Sequence, residues 1–192
     1  VVDLGTGTGI LAIAAANALK RTVLATDDDK VAIAIARDNV RLNCARTLVR
    51  VLEARGFAHL RLRRLKADLI IAMEPLEGLR LGARYLSPRG IAVLNDRPLP
   101  PTDVKIGACR YPSIAEIEEA LRGLGEAVYF LPAEELALQA GHVRTLSVVM
   151  IGAAFATGRL PITQEDLEDT IRARVPPKTV EVNLRAFRLG LE

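Results

Sequence analysis

The feature that most constrains this chain is its opening, VVDLGTGTGI, together with the run TVLATD that follows an Ala-rich stretch. Two apolar residues and an acid lead into Gly5, Gly7 and Gly9 at alternate positions. Glycine at that spacing permits a tight turn and a close approach of ligand to backbone. A helix starting directly behind it, over 10–20, offers unpaired N–H groups. The next apolar run, 22–26, ends at Asp27, a place where open α/β sheets commonly hold an acid that accepts hydrogen bonds from a ribose diol. Asp3, Gly5, Gly7, Gly9 and Asp27 are therefore the candidate cofactor-binding residues. The competing reading is a turn that needs glycine for its backbone alone.

The pattern continues in the same style. DKVAIAIARDNVRLN reads as a second helix, so the start is strand–loop–helix–strand–helix, the opening of a doubly wound sheet. Residues 44–55 are expected to be helical and stopped by Gly56, and HLRLRRLK to be a basic, alternating strand. ADLIIAM (67–73) and IAVLN (91–95) read as buried strands around the helix PLEGLRLGARYL. RPLPP is a loop, and DVKIGACRY is read as a strand. Ser113 with Glu116 predicts a capped helix over 114–124, AVYFL a short strand, and 133–140 a helix ended by Gly141. Residues 144–157 predict a fully buried helix, Thr163 with Asp166 cap another, and VPP breaks the chain. In the tail, Val180, Leu184, Phe187 and Leu191 share one helical face. The fold expected is a single α/β domain over 1–192, with a doubly wound, mostly parallel, Rossmann-like sheet and a helical C-terminal segment. Residues 1–4, 22–26, 68–73 and 91–95 are expected to be neighbouring parallel strands.

Composition narrows the chemistry. Half of the 192 residues are hydrophobic and the net charge is +3, enough for a real core and too little to point to a polyanion. Cys44 and Cys109 are the only cysteines, far apart and in no CxxC pair, so no iron–sulfur cluster or structural zinc is expected on this chain. A reducing cytoplasm is the default location, and the longest apolar run, 146 to 158, is too short to span a membrane. The first residue already sits in a strand, which suggests a trimmed N-terminus.

Several features have plainer readings than the functional ones. Arg46, Arg50, Arg55, Arg61, Arg63, Arg64 and Lys66 are opposed only by Glu53. They fit a solvated face and a charged edge strand better than a site for nucleic acid or coenzyme A phosphates. His59 and His142 lack the partners of a triad. Asp28 and Asp29 fit a helix start better than a metal site, and Glu74 and Glu77 fit a helix N-terminus better than a catalytic pair. No metal ligands are assigned.

Two resemblances follow. VVDLGTGTGILAIAAA with VLATDDDKVAIAIARDNVRLN, about residues 1–43, resembles the class I S-adenosylmethionine methyltransferases, most closely those that modify ribosomal proteins. That family carries an Asn-Pro-Pro-Tyr-like motif after its fourth strand, where this chain has DLIIAMEPLE. From about 66 to 190 a different likeness takes over. ADLIIAMEPLEGLR, YLSPRGIAVLN, RPLPP, YPS, VVMIGAAFATGRLP and VPPKTVEVNLRAFRLG, in that order, resemble the gamma-type domain of the 2-oxoacid:ferredoxin oxidoreductases, closest to the indolepyruvate type. Glu74, Pro75, Leu76 and Glu77 match that family's post-strand turn, and Asn95 and Asn183 its recurrent asparagines, while Ser147 stands where an Asn is expected. The Gly-x-Gly-Gly-Gln-Gly loop with which that family usually begins is replaced by the methyltransferase-like start.

The second resemblance implies a non-cluster subunit. Its larger partner would carry thiamine diphosphate and iron–sulfur clusters, with coenzyme A as acyl acceptor and ferredoxin as electron acceptor. The first implies S-adenosylmethionine and methyl transfer. A nucleotide-binding module without catalysis is the third reading. No residue here is assigned a proton-transfer role.

Overall fold

A computed structural model describes residues 1–56, 59, 62 and 65–192. The chain divides into two compact units, Val1–Leu65 and Lys66–Glu192, each built on its own parallel three-stranded sheet.

In the first unit, β1 (Val2–Leu4), β2 (Val23–Asp27) and β3 (Val49–Glu53) pair in that order. Helix α1 (Ile10–Leu19) links the first two strands and α2 (Lys30–Leu42) the second and third. Asp29 caps α2 by accepting the Val31 amide at 2.8 Å, so the acids after β2 do begin a helix. Ala12, Ile13 and Ala16 of α1 and Val40 of α2 pack with Val23, Ala25 and Val49 of the sheet. The small side chains let the helices lie close to it.

The helix expected over 44–55 is corrected. Cys44 adopts φ 53, which ends α2, and Val49 to Glu53 form β3, in register with Val23 to Asp27. β-Branched Val49 and Val51 suit a strand, and pairing along β2 outweighs the weak local helix pattern. The basic strand expected over 59–66 falls largely outside the described residues, with Arg61, Arg63 and Arg64.

In the second unit, β4 (Ala67–Ala72), β5 (Leu86–Asn95) and β6 (Ala127–Leu131) form the sheet. Between them run α3 (Pro75–Tyr85), a four-residue helix α4 (Thr102–Lys105) and α5 (Ile114–Arg122). After β6 come α6 (Ala133–Ala140), α7 (Leu146–Ala156), α8 (Gln164–Arg174) and α9 (Val180–Leu191). β5 shows why both faces are covered. Ile91 and Val93 enter a core with Ala137, Val149, Met150 and Ala186, whereas Ala92 and Leu94 enter another with Ile117 and Leu121. The period of two delivers alternate residues to opposite layers.

Both capping boxes are present, Ser113 with Glu116 and Thr163 with Asp166. Leu184 and Phe187 of α9 are buried, as its periodicity predicts. Two expectations are corrected here. DVKIGACRY is not a strand. Residues 102–105 turn helically, and Gly107 at φ 76 closes the turn. Strands 1–4 and 68–73 do not share a sheet, since β1 and β2 pair with each other and β4 pairs with β5. Among the described residues no helix is long and apolar enough to cross a membrane.

Candidate functional site

The glycine loop is held by its own hydrogen bonds. Asp27 Oδ2 accepts the Gly7 amide at 2.8 Å, and Oδ1 accepts the Asp29 amide at 3.0 Å. These amides, Asp29 first and then Gly7, hold the Asp27 carboxyl below the usual range. Asp3 accepts from the Thr6 hydroxyl at 2.7 Å, the Thr6 amide donates to the Thr26 carbonyl, and Asn39 of α2 donates to the Thr8 carbonyl. The five candidate residues are thus brought together in one unit.

The three glycines are not equivalent. All have positive φ, 69, 54 and 80 for Gly5, Gly7 and Gly9. A Cβ at Gly5 or Gly7 would meet no atom within 4 Å, so these two border open space. A Cβ at Gly9 would lie 3.1 Å from the Ala36 Cβ and 3.3 Å from its Cα. Gly9 therefore serves the packing of the loop on α2, and Gly5 and Gly7 are the positions where a ligand can reach the backbone.

A second polar centre lies at the C-terminal edge of the other sheet. Glu74 follows β4, is buried, and caps α3 by accepting the Glu77 amide at 2.8 Å. Its Oε1 also accepts the Leu99 amide at 3.3 Å and the Tyr111 hydroxyl. The Tyr111 oxygen in turn accepts the Leu76 amide at 3.2 Å. Burial pushes the Glu74 carboxyl up. The Tyr111 hydroxyl and the amides of Glu77, Leu99 and Leu76 outweigh it, and the carboxyl titrates below its ordinary value. Burial and the neighbouring carboxylate raise the Tyr111 phenol. Glu77 pairs outward with Arg80, so the two acids do not act together.

The sequence did not signal this centre, because Tyr111 is 37 residues from Glu74. The available hint was an acid directly before Pro75, the N-cap position of a helix. Nearby, Asn95 at the end of β5 donates to the Met73 carbonyl at 3.2 Å, and its buried Oδ1 has no partner among the described residues. Asp96 follows, its carboxyl raised by burial and by Glu135. Asn183 is placed elsewhere, on α9, donating to the Thr179 carbonyl at 2.7 Å.

The other candidates fall into structural roles. His142 accepts the Arg144 amide at 3.1 Å at a helix start. Arg50 projects from β3, the edge of its sheet, and Arg46 and Arg55 are exposed. Cys44 and Cys109 are exposed, and no three His, Cys, Asp or Glu among the described residues converge to hold a metal. A cavity of about 470 Å³ beside β6 is mainly apolar, lined by Tyr129, Phe130, Leu136, Ala153 and Leu189 among others.

Comparison with known proteins finds relatives of two kinds. Residues 7–192 match the model of the pyruvate ferredoxin/flavodoxin oxidoreductase family. Indolepyruvate oxidoreductase subunit IorB of Thermococcus kodakarensis is 41% identical over 128 residues, covering 66% of this chain and 63% of the relative. The protein of that name from Pyrococcus horikoshii is 44% identical over 131 residues, with the same shares. The chain thus spans less than two thirds of the length of these relatives. Ribosomal protein L11 methyltransferase of Rhodopseudomonas palustris is 57% identical over 58 residues, 30% of this chain and 20% of that protein. With the family model matched across nearly its whole length, the chain belongs to the pyruvate ferredoxin/flavodoxin oxidoreductase family.

Proposed function

We propose that this chain is the non-cluster subunit of a 2-oxoacid oxidoreductase of the indolepyruvate kind. The observation that carries the reading is the ordered series of motifs from 66 to 190. It falls within one compact unit, Lys66–Glu192, and lies inside the family match. In such an assembly a larger partner holds thiamine diphosphate and the clusters, and the acyl group passes to coenzyme A. The donor set of this chain fits that division of labour. A cluster needs about four thiolates, and the sequence supplies two cysteines. The chain's own part is to dock on the partner and shape the region where substrate and coenzyme A meet. Reconstitution tests this. The chain alone should not oxidise an aryl 2-oxoacid, and activity should require a thiamine- and cluster-bearing subunit. Turnover by the chain alone, or a partner whose activity ignores it, would overturn the proposal.

A second reading, S-adenosylmethionine-dependent methyl transfer, is favoured by one observation, the open space at Gly5 and Gly7 beside Asp27. Asp3, Gly5, Gly7, Gly9 and Asp27 would form the nucleoside site, with Asp27 toward the ribose. Calorimetric titration with S-adenosylhomocysteine separates it from a loop without ligand. Micromolar binding that Asp27→Asn weakens supports the site, and no heat at millimolar ligand from folded protein removes it.

A further inference from the structure

Three motifs that the family reading leaves unexplained, MEPLE, RPLPP and YPS, meet at one carboxylate. Glu74 comes from the first, the Leu99 amide from the second and the Tyr111 hydroxyl from the third. Beyond the Asp96 amide, which donates to the Leu131 carbonyl of β6 at 2.9 Å, the chain between β5 and Tyr111 is otherwise weakly held. Its hydrogen bonds within 101–109 are local, such as Ile106 to Thr102 at 3.0 Å and Ala108 to Asp103 at 2.8 Å. Leu99 and Ile106 are 63% and 71% exposed, so it contributes little to a core. Two ion pairs tie its ends to neighbouring helices, Arg97 with Glu134 and Arg110 with Glu116. Exposed pairs of this kind add little.

The segment starts immediately after Asn95, whose Oδ1 is buried without a partner. Buried acceptors are seldom left unpaired. Ligands of open α/β sheets bind outside the carboxyl ends of strands, which is where Asn95 and Glu74 sit.

We propose that residues 97–110 are a movable strap at the C-terminal edge of the second sheet, anchored at Asp96 and latched closed by Glu74 through Leu99 and Tyr111. Opening it frees the end of β5 and offers Asn95 Oδ1 to a hydrogen-bond donor. Glu74 is a positioning residue in this scheme and reacts with nothing. The inference does not depend on the oxidoreductase reading.

Limited trypsin digestion of the full chain tests it. The Lys105–Ile106 bond lies in the strap, and Arg80–Leu81 and Arg122–Gly123 lie outside it. Tyr111→Phe removes the hydroxyl with little change in volume. It should speed cleavage after Lys105 roughly tenfold, the factor expected for losing one charge-assisted hydrogen bond when cleavage follows the open population. Cleavage after Arg80 and Arg122 should keep its rate. Glu74→Gln should act in the same direction. An unchanged Lys105 rate in Tyr111→Phe overturns the latch. So does equal acceleration at all three bonds, because that is global destabilisation. If Glu74→Gln does not fold, Tyr111→Phe alone decides.

Discussion

The Gly7 amide donates to Asp27 Oδ2 at 2.8 Å, across twenty residues of chain. The acid that sequence reading assigns to a ligand therefore first holds the loop that the ligand would approach. Loop and acid are one preorganised element, and each depends on the other.

The first prediction follows from that bond. Asp27→Ala removes the acceptor for the Gly7 and Asp29 amides and should lower the thermal midpoint of the full chain. Asp28→Ala, whose carboxylate makes no hydrogen bond among the described residues, should lower it less. The sign with pH is fixed. The Asp27 pKa is depressed by folding, so its contribution is present above the ordinary Asp value and lost as pH falls through the depressed one. Equal midpoints for the two variants would refute this account of the loop.

The second concerns the unequal glycines. Gly5→Ala and Gly7→Ala place a side chain in open space at positive φ, at a cost of about 1–2 kcal/mol each. Gly9→Ala adds the close approach to Ala36 and should cost more. Urea midpoints at constant m-value rank the three. Gly9→Ala milder than Gly5→Ala would contradict the packing role.

How much of this could be read from the sequence depended on range. Elements with strong local patterns were legible. β1, α1, β2, α2 and both capping boxes fall where glycine spacing, helical period and Ser or Thr caps put them. β3 was not, because Val49, Arg50, Val51, Leu52 and Glu53, with only Val49 buried, satisfy a weak helical pattern, and only β2 beside them decides for strand. The division into two sheets is likewise a matter of pairing, which no local window holds. The same contrast runs through the sites. Asp27 stands out in the sequence as a candidate because it lies at a strand end, but its bond to Gly7 does not. Tyr111 was passed over because nothing near it in sequence announces Glu74.

The third prediction concerns the crossing of α7 and α9. A Cβ at Gly152 would overlap the Phe187 carbonyl oxygen, and one at Gly190 the Val149 carbonyl oxygen. Backbone cannot yield as a flexible side chain can, so the helices must separate. Gly152→Ala and Gly190→Ala should each destabilise by about 1–3 kcal/mol or more. Gly158→Ala, at φ 70 with open space, lacks this clash and should show only its backbone cost. Equal denaturant midpoints for the three variants would show that the crossing is not set by glycine.

The last prediction uses charge between α8 and α9. Glu168 accepts from Arg188 of α9 at 3.1 Å and from Arg172 of its own helix at 2.8 Å. Arg188, then Gln164, lower its carboxyl to about 2, against burial. In the unfolded chain it titrates near the ordinary Glu value, about 4.3. A depressed folded pKa stabilises above the unfolded pKa, and the contribution disappears as pH falls through about 2. Arg188→Gln removes the largest cause, so the carboxyl should titrate nearer the unfolded value and this pair's contribution should fade at higher pH. The variant should therefore lose most relative to the parent near neutral pH. The two should converge as pH falls through the Glu range toward about 2, in melts at low salt where an exposed pair is least screened. A difference between them that is constant from neutral pH to acid would mean that Arg188 acts through its aliphatic stem, packing rather than charge.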